Sequence, residues 1–149
     1  MTSKVPCQPE HYQSVIPYIH ATNATKLISF LKEVFDAEEI AIYRRSDGTI
    51  GHAASRIGDS VVELADAGPE WPAMPCALQV YVPDTDATYA RALKAGATSL
   101  TAPTNQFYGD RTANVRDVCG NNWYIATQIE VVSREEVDKR IAAMGSQSH

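Results

Sequence analysis

Hydrophobic positions along the chain change period several times, and each change marks an element. Ser14 to Ile19 reads as a short strand. Leu27, Leu31, Val34 and Phe35 then recur at helical spacing, with Ile28 and Phe30 beside them, and Thr22 or Asn23 can cap this helix. It is expected to end near Asp36 and Ala37. Residues 39–43, 50–57 and 60–64 read as strands, joined by turns at Ser46–Gly48 and Gly58–Asp59. Residues 66–76 hold Gly68, three prolines and Trp71, the composition of a linker or flap. The order then repeats. Residues 78–82 alternate like a strand, and Asp84 or Asp86 caps a helix carrying Tyr89, Ala92 and Leu93. Gly96 is placed to end it. Thr98 to Leu100 predicts a short strand and 101–111 a loop. Thr112 to Val115 predicts a strand, 117–121 a turn and 123–129 the last long strand. Ser133 and Glu136 form a capping box for a C-terminal helix. Residues 1–12 read as a loose arm, and 145–149 as a frayed end.

An internal echo supports a duplication. Tyr18-Ile19 and Thr22-Asn23-Ala24-Thr25 match Tyr81-Val82 and Thr85-Asp86-Ala87-Thr88, all 63 residues later. Each helix is followed by several strands, which argues against a doubly wound sheet. The expected fold is therefore α+β: two βαβββ modules forming a curved mixed sheet, a cup, with helices outside. Module one spans about 13–67, the linker 68–76, module two 77–131 and the final helix 133–144.

Composition narrows the partners. The net charge of −5 and the lack of a basic stretch argue against nucleic acid. Acidity this mild does not by itself imply a cationic ligand. No apolar run is long enough to span a membrane, and the N-terminus has no apolar signal core. Three cysteines, Cys7, Cys76 and Cys119, match no zinc spacing and read as reduced thiols. The expected location is the cytoplasm.

Several segments resemble glyoxalase/bleomycin-resistance proteins of the vicinal-oxygen-chelate superfamily. Ile16 to Ile19 with Ile28 to Glu38 resembles their opening, and His52 to Ser60 is similar to a stretch of the PhnB-like branch. Val80 to Val82 with Ala95 to Ala97 resembles the second module. Gln106 to Arg111, and Arg116-Asp117 with Gly120 and Trp123, resemble the most specific motifs of that branch. The likeness covers roughly 13–132. It implies paired βαβββ modules around a small-molecule cup, often in a homodimer. It implies no single reaction, because the superfamily includes isomerases, lyases, dioxygenases, thiol transferases and drug-sequestering proteins.

Metal-dependent members take one ligand from each of four strands, usually His and Glu or Gln, so that a divalent ion can polarise two neighbouring substrate oxygens. Carried onto this chain, that pattern falls on Ile16, Ala54, Ala77 and Tyr124. Moved by two residues it falls on Tyr18, His52, Gln79 and Asn122. Neither set suits a divalent ion, and His11, His20 and His149 do not complete one, so no resident metal or other cofactor is expected.

The candidate catalytic groups are His52 and Glu63. His52 can be a general base or a hydrogen-bond partner, or a strand histidine satisfied by backbone. Glu63 is a charge inside the cup, or it faces solvent. Candidate ligand-binding residues are Tyr18, His52, Gln79, Tyr81, Tyr108, Arg111, Tyr124 and Trp71. Arg111 alternatively pairs with Asp117, and Asp110 reads as structural. Cys119 lacks a neighbouring histidine base and is not a persuasive nucleophile. Three functions stay open: a metal-free binding or sequestering protein, an enzyme working through His52 with an atypical metal site or through acid–base chemistry, and a scaffold with a vestigial cup.

Overall fold

The computed structural model describes residues 4–147; His149 lies outside them. The elements are β1 (Tyr18–Ala21), α1 (Ala24–Phe35), β2 (Glu38–Arg44), β3 (Ile50–Ile57), β4 (Ser60–Asp66), β5 (Ala77–Tyr81), α2 (Thr85–Lys94), β6 (Thr98–Asn105), β7 (Asp110–Arg116), β8 (Asn122–Gln128) and α3 (Arg134–Gln147). The strands form two four-stranded mixed sheets, ordered β1-β4-β3-β2 and β5-β8-β7-β6. In each, the first strand runs parallel to the last and the others pair antiparallel. The chain falls into two compact units: residues 1–76 with 118–120, and 77–117 with 121–149.

In unit one, α1 lays Leu27, Phe30, Leu31 and Val34 on β1, β3 and β4, where Ile19, Ala53 and Leu64 are buried. Period-two alternation then puts Tyr18, His20, Glu63 and Ala65 on the opposite face. Asn23 is the residue that caps α1, its side chain accepting from the Lys26 amide at 3.1 Å. Asp66 ties the helix to the sheet. One carboxylate oxygen accepts from the Ala24 amide at 2.7 Å and the other from the Ile50 amide at 2.8 Å. Asp66→Ala removes both acceptors and is expected to cost about 2 kcal/mol, read as a lower urea midpoint at unchanged m-value.

Unit two follows the same plan, with α2 against β6, β7 and β8 over Ala113, Val115 and Ile125. Asp84 caps α2, accepting from the Ala87 amide at 3.1 Å. That leaves Asp86 available for another partner.

Several strand boundaries differ from the sequence expectation, β7 among them, which starts at Asp110 rather than Thr112, and two differ most. β1 starts at Tyr18 rather than Ser14, because ladder pairing with β4 begins only beyond Pro17. Before it, the Gln13 side-chain amide takes the role of a strand. It donates to the Val61 carbonyl at 2.7 Å and accepts from the Val61 amide at 3.0 Å. β6 is longer than the three residues expected. Residues 101–105 are strand rather than loop, and the register slips between Thr101 and Thr104, around Pro103. An edge strand tolerates proline because one side of its backbone needs no ladder partner.

Candidate functional site

The open face of the first sheet gathers four side chains that the sequence places far apart. Tyr18 on β1 stands opposite Glu63 on β4, and Glu63 opposite Ala54 on β3. His52, two residues before Ala54, is on the same face. The Tyr18 hydroxyl lies 3.2 Å from His52 Nδ1, and His52 Nε2 lies 4.0 Å from Glu63 Oε1. Tyr43 on β2, directly opposite His52 in the ladder, brings its ring to 6.1 Å from the imidazole. Burial, and then the negative charge of Glu63, hold the Tyr18 phenol above its usual range; Arg45 opposes them. Tyr18 therefore keeps its proton at neutral pH. When the imidazole is neutral, that O–H donates to Nδ1, so the ring proton sits on Nε2, on the Glu63 side. Glu63, with its side chain 21% exposed, is a half-buried carboxylate of this cluster.

Beside the cluster is a cleft of about 870 Å³, entirely within unit one. Tyr18, His20, Arg45, Asp66, Glu70 and Trp71 are among its walls. Trp71 stands on a tight turn closed by two reciprocal backbone bonds with Gly68, at 2.9 and 3.1 Å. Its indole stacks flat on the His20 imidazole, with centroids 5.6 Å apart and planes 9° apart, and remains 65% exposed. His20 in turn lies 5.2 Å from the Tyr18 ring. A row of rings thus runs Trp71, His20, Tyr18, His52, Tyr43. His20 Nδ1 is buried with no hydrogen-bond partner, a costly condition that often marks a binding site.

The other expected residues lie in unit two. Gln79 on β5 pairs with Tyr124 on β8, and Tyr81 shares their face. Tyr81 donates to Asp110 Oδ2 at 2.8 Å. Tyr108 lies on the turn before β7, its ring edge-on to Phe107 at 5.2 Å. Arg111 alternates to the α2 side of the sheet and does not join this face. Its guanidinium grips Asp86 at 2.6 and 2.9 Å and bonds Asn105 at 2.8 Å, rather than reaching Asp117. Its hydrogen bonds, and then its charge, hold the Asp86 carboxyl below the usual range. Cys119, which belongs to unit one, is buried, its thiol donating to the Asn23 carbonyl at 3.3 Å.

Among the described residues no three His, Cys, Asp or Glu side chains cluster. Module one offers His52 and Glu63, and both His52 nitrogens already face Tyr18 and Glu63. At the matching strand positions module two offers only amides, tyrosines and an Asp110 engaged by Tyr81. This donor set does not fit a tightly held divalent ion.

Sequence reasoning missed His20, Tyr43 and Arg45 as site residues. The signal for the first two was strand alternation: His20 is two positions beyond Tyr18, and Tyr43 ends a strand expected to pair with that of His52. Arg45 reaches the cleft through a turn and had no periodic signal.

Residues 11–125 match the family model of the glyoxalase/bleomycin resistance protein/dioxygenase superfamily. The chain belongs to that superfamily. An uncharacterized protein of Mycobacterium bovis is 34% identical over 142 residues, which cover 88% of this chain and 91% of that protein. Among solved structures, TioX from a Micromonospora species superposes with a TM-score of 0.67 at 22% identity, covering 78% of this chain and 99% of TioX. The PhnB protein from Bacillus cereus gives 0.64 at 16%, covering 77% and 99%. TnmS3, an antibiotic-binding protein from a Streptomyces species, gives 0.60 at 21%, covering 78% and 97%. These likenesses establish the glyoxalase/bleomycin-resistance fold with its PhnB-like relatives.

Proposed function

We propose that this superfamily member binds and sequesters planar aromatic small molecules in the module-one cleft, without a catalytic divalent metal. The observation that carries the reading is the Trp71–His20 stack: a fixed, largely exposed indole forming one wall of a roomy cleft. Its rings offer flat apolar area, and Tyr18 offers a polar group to orient a ligand. Arg45 is offset there by Asp47, Asp66 and Glu70, so the cleft has no net preference for an anion. The antibiotic-binding activity of TnmS3 agrees with this reading.

Titration with 2-naphthol, followed by tryptophan fluorescence, tests it. The chain has two tryptophans, and Trp123 is buried. Saturable quenching of the exposed Trp71 emission is expected, with a rise in the thermal midpoint. No quenching and no thermal shift up to the solubility limit would overturn it. Stoichiometric divalent metal surviving dialysis would overturn the metal-free part.

The same reading includes a cytoplasmic homodimer. Reduced thiols at Cys7, Cys76 and Cys119 suit a reducing compartment, and the edge strands β2 and β6 favour pairing. A monomeric mass in light scattering would remove the dimer.

A second reading is an acid–base enzyme, favoured by the Tyr18–His52–Glu63 row. An imidazole between a phenol and a carboxylate can take a proton from a carbon acid and return it. In D2O, a bound ketone such as 1-indanone would lose an α-proton to His52 and regain a deuteron. Exchange above the solvent rate that is abolished by His52→Gln supports the enzyme. Exchange unchanged by that substitution excludes it.

A further inference from the structure

The internal repeat relates a second pair of groups to the Tyr18–His52 pair. In unit one, Tyr18 stands opposite Glu63, and Glu63 opposite Ala54. In unit two, Tyr81 stands opposite Ala126, and Ala126 opposite Thr112. Tyr81 therefore occupies the position of Tyr18, Thr112 that of Ala54, and Asp110 that of His52. The hydrogen bond is kept: Tyr18 to His52 at 3.2 Å, Tyr81 to Asp110 at 2.8 Å. The acceptor has changed from an imidazole to a carboxylate, and the carboxylate at the Glu63 position has become Ala126.

Asp110 is only 5% exposed, yet among the described residues no basic side chain forms an ion pair with it. Its neighbour Arg111 is turned to the other face of the sheet and held by Asp86. A buried carboxylate held by a phenol is costly unless a positive group approaches it. The bond from Tyr81, supported by burial, holds that phenol above its usual range, while the Gln79 amide bonded to its oxygen opposes them. The hydroxyl proton is thus spent on Asp110 and one lone pair on the Gln79 amide, and the second lone pair of the phenol oxygen remains to accept from a ligand. The rings of Tyr81, Tyr124 and Tyr108, 63%, 45% and 44% exposed, add faces that attract a cation.

The backbone locks this arrangement. Gly109 has φ +103°, and a Cβ there would collide with the Glu130 carbonyl oxygen. The Ile129 and Glu130 amides both donate to the Gly109 carbonyl, at 2.8 and 3.1 Å. Asp110 is therefore delivered to the sheet from a fixed turn.

We propose that Tyr81, Asp110 and Gln79 form a second binding site, on the open face of module two, that takes the protonated primary amine of an aromatic amine. The ammonium donates to the Tyr81 oxygen and to the Gln79 carbonyl oxygen, and its charge compensates Asp110. Its ring lies against the exposed tyrosines. All three residues belong to unit two.

The test is an amide-resolved NMR titration of the full chain with benzylamine hydrochloride at pH 7, with sodium benzoate and benzyl alcohol as controls. Saturable shifts are expected in β5, β7 and the 106–109 turn for benzylamine, and none there for either control. Tyr81→Phe and Asp110→Asn are each expected to weaken benzylamine by about tenfold or more. Equal shifts from benzoate, shifts confined to module one, or unchanged affinity in Tyr81→Phe would overturn the proposal. If Asp110→Asn does not fold, Tyr81→Phe and Gln79→Ala decide it, because both side chains are exposed at the surface of their strand.

Discussion

Trp71→Ala is expected to weaken binding of 2-naphthol by about tenfold or more while leaving the fold intact. The indole is 65% exposed and rests on a turn closed by its own backbone bonds to Gly68. Little core packing is lost with it. What is lost is one wall of the cleft and the flat ring on His20, and stacking of this kind contributes about 0.5–1.5 kcal/mol beyond the area it buries. Trp71→Phe should recover most of the affinity, since it restores a ring without the indole N–H. Isothermal titration of the three proteins reads the difference directly. Equal affinity in all three would show that the ligand does not use this wall.

Asp117→Ala is expected to be among the most destabilising single changes outside the apolar core. Asp117 is 5% exposed, and its two oxygens accept from the Asn121 amide at 3.0 Å, the Asn121 side-chain amide at 3.0 and 3.2 Å, and the Trp123 indole N–H at 2.8 Å. Its own amide donates to the Asn121 carbonyl at 2.8 Å, closing the turn. Removing the carboxylate takes the acceptor from three buried donors while Trp123, 1% exposed, stays in the core. A loss of about 3–5 kcal/mol is expected, because each stranded donor costs on the order of 1–3 kcal/mol and the costs overlap. For a chain of this size that lowers the thermal midpoint by roughly 10 °C. Scanning calorimetry measures it. A drop under about 2 °C would mean the turn finds other acceptors.

This turn also shows what the motif of Arg116, Asp117, Gly120 and Trp123 is for. It resembled a family signature in the sequence, and a signature invites a functional reading. The hydrogen bonds assign Asp117 and Trp123 to holding the β7–β8 connection together. Gln106 to Arg111 is mixed in the same way. Gly109 and Arg111 serve the backbone and α2, while Asp110 meets the open face, as does Gln106, whose side chain donates to Thr112 Oγ1 at 2.9 Å.

Much of the fold was legible because it depends on local periods. The helical spacing of Leu27, Leu31 and Val34 placed α1, and the 63-residue echo placed the second module. The largest boundary errors lay at Pro17 and around Pro103, where the local reading, strand at the first and loop at the second, is overruled by what the neighbouring strand can pair with. The candidate site was half legible. His52, Glu63, Tyr18 and Trp71 could be named from the strands and the flap that carry them. Their mutual arrangement could not, nor could the entry of His20 and Arg45.

The sequence by itself determined the element order, the duplication, and which residues of a strand share a face. Strand alternation is local, and the two βαβββ units are written directly in the chain. Only the tertiary structure decided which groups meet. Tyr18 reaches His52 across 34 residues, and Tyr81 reaches Asp110 across 29. Both meetings depend on a parallel first strand docking beside the last strand of its module. That choice goes with burial of Ile19 beneath α1 and of Val80 in unit two, not with any feature of the tyrosines. Arg111 turned to Asp86 for the same reason: alternation fixed its face, and α2, packed on that face, supplied the carboxylate.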